Sequence, residues 1–121
     1  MTEAGGQAGE LDRVIEVILV DAYGDEEQYV AFLTVFEEET QLPVAATLLG
    51  IPVTVTGFDY TGSARGLSAI CQGPHEVGEV SLAELAFPPD TVTAWIHAAY
   101  RRYLGLSPFP ARPRPDWTWP T

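Results

Sequence analysis

Asp21, Asp25, Glu26 and Glu27 stand in one short stretch, Asp21-Ala22-Tyr23-Gly24-Asp25-Glu26-Glu27-Gln28, with a glycine between the first acid and the other three. Carboxylates around a glycine turn are hard oxygen donors on a chain that can bend back on itself. Calcium takes about six to eight oxygens at about 2.3–2.6 Å, so this stretch can supply part of a calcium shell. It is not an EF-hand, because the D-x-[DN]-x-[DN]-G-x5-E loop occurs nowhere in the chain. Asp25, Glu26 and Glu27 have a second reading: acids in the first turn of a helix favour its dipole with or without a metal.

Glu37-Glu38-Glu39 falls at the other end of the same expected helix. Acids there oppose the macrodipole at roughly some tenths of a kcal/mol each, and three in a row repel one another. A cation would relieve both effects, either a metal ion or Arg101 and Arg102 from a later helix; a plainly solvated face is the third reading. Asp59, in Gly57-Phe58-Asp59-Tyr60-Thr61-Gly62, stands at a strand end. Its carboxylate and nearby carbonyls can reach a cation there, or can simply stabilise a turn.

Signals for catalysis are weak. Cys71 lies in an apolar run, where a thiol acts mainly as a small hydrophobe, and His75 belongs to a Gly-Pro turn. His97 alternates with apolar residues and has no partner in sequence. Two histidines and one cysteine are too few for a zinc site. No phosphate-binding glycine loop or nucleophile elbow is present. The expectation is a protein that is not an enzyme.

The elements that must position these acids follow from local pattern. Leu11 to Val20 is apolar with charges at helical spacings, which favours a helix. Asp25 as cap, with Gln28 three residues on, predicts the start of a second helix. Tyr29, Phe32, Leu33 and Phe36 then share one face, and Leu42-Pro43 closes the helix by about residue 40. From Val44 to Leu82, β-branched runs broken by turns predict strands at Val44–Leu49, Val53–Thr56, Leu67–Cys71 and Val77–Leu82. A last helix, capped by Asp90, carries Val92, Trp95, Ile96, Ala99 and Tyr103 on one face, has Arg101 and Arg102 in its final turn, and stops at Gly105. The expected fold is α+β: acidic N-terminal helices and a C-terminal helix on a small, bent antiparallel SH3-like sheet or barrel of four to five strands.

Length and composition bound the rest. A chain of 121 residues suits one domain with a genuine core, taken as residues 10–105 between flexible tails at 1–9 and 106–121. Residues 1–39 hold eleven acids against Arg13 alone, whereas the remainder holds six acids against five arginines. With no lysine and a net charge of −11 the chain is a poor ligand for nucleic acid or acidic membranes. A lone cysteine and the lack of a membrane-length apolar run point to a soluble cytoplasmic protein. The segment Pro108 to Pro115 has the look of a basic polyproline ligand, and Trp117 and Trp119 beyond it can cover an apolar patch.

From Val20-Asp21-Ala22-Tyr23-Gly24-Asp25-Glu26-Glu27-Gln28 onward the chain resembles the small bacterial calcium-binding proteins typified by cyanobacterial CcbP. The order is similar: this acidic segment, an aromatic helix ending at Phe36-Glu37-Glu38, Leu42-Pro43, a short β region, and a closing helix with Trp95 and Tyr100-Arg101-Arg102. The resemblance spans about residues 14–104, and Val44 departs from it where an aromatic is expected after Leu-Pro. It implies an acidic calcium binder that buffers or senses Ca2+ without catalysis. Asp21, Asp25, Glu26, Glu27, Glu37, Glu38 and Asp59 are the candidate ligands by residue type. The competing reading is an interaction module whose acidic face docks a basic protein partner and needs no metal.

Overall fold

Leu11, Val14 and Ile18, spaced three and four apart, form the buried stripe of helix α1 (Thr2–Ile18). The computed structural model describes residues 2–62 and 65–112, with side chains from residue 9 onward. Trp117 and Trp119 lie outside the described residues. Helix α2 (Asp25–Glu39) buries Phe32 and Phe36 and half-buries Tyr29 and Leu33, which is the aromatic face that the spacing predicts. Five strands follow, β1 (Val44–Leu48), β2 (Ile51–Tyr60), β3 (Leu67–Gln72), β4 (Val77–Ser81) and β5 (Leu85–Ala86), and then helix α3 (Val92–Tyr103).

The strands form one antiparallel sheet in the order β4-β3-β2-β1-β5. Leu49 and Gly50 both have positive φ, 52° and 82°, as a two-residue type I′ hairpin between β1 and β2 requires. A bulge between Val55 and Gly57 bends the long strand β2 against β3. The sheet is bent, yet among the described residues it does not close into a barrel: β4 and β5 are its two edges and do not pair with each other. The short strand β5 joins β1 at Thr47↔Ala86 and Leu48↔Leu85, after a single turn of 3-10 helix at Leu82–Glu84. Two residues between a helical turn and a Pro-Pro step are too short for a period-2 signal.

Helix α2 crosses β2 through Phe36 on Phe58 and Tyr29 stacked on Tyr60, at ring centroid separations of 5.5 and 5.7 Å. Helix α3 is central. Every residue from Thr93 to Tyr100 is buried, so it lacks the exposed face that its spacing suggests. Its polar residues are satisfied inside: the Thr93 and Thr40 hydroxyls lie 2.7 Å apart, and His97 Nε2 is 2.8 Å from the Leu82 carbonyl oxygen. Thr91, one residue later than the expected Asp90, caps α3 by accepting from the Ala94 amide. The helix ends as predicted at Gly105, in a Schellman arrangement with Gly105 N–H on Arg102 O and Leu106 N–H on Arg101 O. Residues beyond it pack back on the body, with Phe109 stacked on His97 and Arg112 N–H donating to Pro89 O.

At Gly66, the residue before β3, φ is +71° and an added Cβ would lie 2.8 Å from the Tyr100 hydroxyl and 3.3 Å from the Tyr29 ring. That hydroxyl also accepts the buried Leu67 amide. Gly66→Ala is therefore expected to lower stability by about 1–3 kcal/mol through backbone strain and overlap. The urea midpoint measures it; an unchanged midpoint would exclude this close approach.

Candidate functional site

The junction between α1 and α2 holds the first acidic stretch. After Ile18 the chain makes a turn, Ala22 N–H to Leu19 O, and enters α2 through Gly24 at φ 90° and ψ 161°, a conformation that side chains other than glycine rarely adopt. Gly24, rather than Asp25, is the residue preceding the helix, and no side chain caps it from that position. Instead Glu27 Oε1 reaches back to accept the Tyr23 amide at 2.8 Å, one residue before the amide that a capping-box acid would take. Gln28 is engaged elsewhere, its Oε1 accepting from the Tyr103 hydroxyl at 2.7 Å.

The result is a cleft of about 600 Å³ between the turn and the first two turns of α2. Asp21, Glu26 and Glu27 line it together with Ile18, Val20, Ala22, Val30 and Ala31. All three acids are exposed. Asp25 does not line the cleft; its charge, after burial and Tyr29, helps to raise the pKa of the Tyr103 phenol.

The other candidates are in different places. Glu37 and Glu38 are exposed at the far end of α2, about 15 Å along the helix from Glu27 at 1.5 Å per residue. The expected arginine partners are committed elsewhere. Arg102 makes a two-pronged bond to Asp12 at 2.7 and 3.1 Å, and that pairing holds the Asp12 carboxyl below its usual range. Arg101 donates to the carbonyls of Ser107 and Ala83 and lies 3.9 Å over the Phe109 ring. Asp59 alternates on β2 with Phe58 and Tyr60, which pack on α2, so it projects from the opposite face of the sheet. There its Oδ1 accepts the Tyr60 amide, while neighbouring Ser68 donates to Glu79 at 2.6 Å.

Of the seven candidate ligands, the fold brings Asp21, Glu26 and Glu27 to one cleft and disperses Asp25, Glu37, Glu38 and Asp59. Among the described residues no three of His, Cys, Asp or Glu converge at metal-binding distance. Cys71 is buried in β3, where burial pushes its thiol pKa up and away from a reactive thiolate. Among the described residues no helix is long and apolar enough to cross a membrane. Pattern reading missed the apolar half of the cleft. Val20 and Val30 belong to different segments, and only their position beside the acids marks them.

No protein-family profile matches the chain, and no curated protein matches its sequence. A solved structure described as "Calcium binding protein in the calcium-binding form" is similar to it, with a TM-score of 0.60 and 15% sequence identity over 81% of this chain and 93% of that one. At that identity the likeness shows a shared α+β fold.

Proposed function

We propose that this chain binds Ca2+ at the α1–α2 junction, and that it does so as a buffer or sensor without catalysis. The observation that carries the reading is that Asp21, Glu26 and Glu27 line one cleft, in a fold similar to that of a calcium-binding protein. The donors fit the ion in kind, being exposed carboxylate oxygens with no cationic residue in the cleft lining among the described residues. Glu27 keeps its second oxygen free of the Tyr23 amide. The acids do not converge on a common point as they stand, so binding must gather their side chains, and backbone carbonyls and water complete the shell. Such a site binds more weakly than a preformed loop, because ordering long side chains costs entropy. The single cysteine and the strongly acidic surface suit a cytoplasmic setting.

Calcium that binds only the folded state stabilises it by RT ln(1 + [Ca]/Kd), about 2.7 kcal/mol at a hundredfold excess over Kd. Thermal unfolding should therefore shift upward with calcium. Asp21→Asn with Glu26→Gln should abolish the shift, and Glu37→Gln with Glu38→Gln, which removes the same charge from the far end of α2, should retain it. No shift at millimolar calcium would refute the reading.

A further inference from the structure

The acidic cleft also has an apolar side. Val20, 69% exposed, and Val30, 42% exposed, line it together with half-buried Ala22 and Ala31 and buried Ile18. Burying these groups is favourable in proportion to the apolar area removed from water. Three carboxylates line it as well, with no basic side chain beside them among the described residues. A ligand matching both halves must carry apolar side chains along one stripe and cations beside them.

We infer that the α1–α2 cleft docks a basic amphipathic helix of a partner protein, with an apolar side chain inserted between Val20 and Val30 and lysines or arginines on Asp21, Glu26 and Glu27. Charge complementarity selects this occupant. A second copy of the chain would bring the same three carboxylates and a net charge of −11 against themselves. A basic helix removes that repulsion, and the α1–α2 junction is where its charge and its apolar stripe are met together. The inference concerns the same cleft as the calcium reading and does not rest on it.

The test is made with the full chain in chelator at low salt, so that the outcome is independent of calcium. Two labelled synthetic peptides of identical leucine and lysine content serve as probes, one patterned as an amphipathic helix and one with its leucines scattered. Fluorescence anisotropy should show the patterned peptide binding about tenfold more tightly than the scattered one. Val20→Ser with Val30→Ser should erase that preference by weakening the patterned peptide about tenfold; both residues are exposed, so unfolding temperature should hold. Asp21→Asn with Glu26→Gln should weaken binding about fivefold, whereas Glu37→Gln with Glu38→Gln should leave it within about twofold. Equal binding of the two peptides, equal loss in the two charge-neutralised variants, or no binding would each overturn the inference. Self-association of the chain that Val20→Ser with Val30→Ser abolishes would assign the face to a second copy instead and would overturn it too.

Discussion

Phe36→Ala is expected to remove about 3–5 kcal/mol of stability. The Phe36 ring is fully buried and lies where three elements meet, with centroids 5.5 Å from Phe58 on β2 and 6.0 and 6.5 Å from Tyr100 and His97 on α3. Deleting it forfeits the transfer free energy of the ring and leaves a cavity that rigid elements on all sides cannot fill, as well as the edge-on ring contacts. A domain of this size has about 5–15 kcal/mol in total, so the variant should survive only marginally. At about 4 °C per kcal/mol the midpoint of thermal unfolding should fall by about 12–20 °C. The consequence reaches the site, because Phe36 and Phe32 seat the helix whose first turns carry Glu26 and Glu27. Phe36→Leu, which refills most of the volume, should lose less than half as much. A loss below about 1 kcal/mol in Phe36→Ala would show that α2 is not held to the sheet through this ring.

Acid should destabilise the protein through His97, by about 3 kcal/mol between pH 6.5 and pH 4. The ring is 1% exposed and packed against Phe36, Phe87 and Phe109. Because a carbonyl can only accept, the contact with Leu82 O assigns the proton to Nε2. Charging the ring means protonating Nδ1 in an apolar setting. Burial dominates and drives the pKa down to about 4, the Leu82 bond opposes it, and Arg101 adds to the depression.

The unfolded chain titrates this histidine near 6.5, so below that pH the unfolded state takes up a proton that the folded state refuses. The His97 contribution is thus fully present above about pH 6.5 and is lost as pH falls toward 4. Protonation of carboxylates over the lower part of the same range works the other way, since it relieves the repulsion within a chain of net charge −11. The comparison that isolates the histidine is therefore wild type against His97→Gln, whose amide can still donate to Leu82. The advantage of the wild type should shrink by about 3 kcal/mol from pH 7 to pH 4, read from denaturant midpoints. Parallel stability curves for the two would rule out a buried neutral imidazole.

Local features of the fold were legible because their causes are local. The i, i+3, i+4, i+7 spacing of Tyr29, Phe32, Leu33 and Phe36 marks a helix face whatever it packs on, and Leu42-Pro43 ends that helix by sterics alone. Gly105 supplies the positive φ of the α3 stop. Cap identity was less legible. Asp25 and Asp90 have the right chemistry, but the chain enters each helix one residue away, through Gly24 and Thr91, and at α2 the local bond is made by Glu27, which reaches back to the Tyr23 amide. The burial of α3 all round was hidden because Thr93 and His97 read as polar until Thr40 and Leu82 O are beside them.

The sequence by itself determined that acids would cluster around Gly24 and at the end of α2, because those placements follow from residue order and helix periodicity. Only the tertiary structure decided which acids share a space. Asp21 joins Glu26 and Glu27 because the turn after Ile18 folds against α2, and Asp59 is excluded because strand alternation turns it to the far face of the sheet. Arg101 and Arg102 are drawn to the carbonyls of Ala83 and Ser107 and to Asp12, which leaves Glu37 and Glu38 to solvent. The open sheet and the β1–β5 pairing have the same origin. Pairings between residues distant in sequence are fixed by which surfaces the core brings together, and local propensity carries no record of that choice.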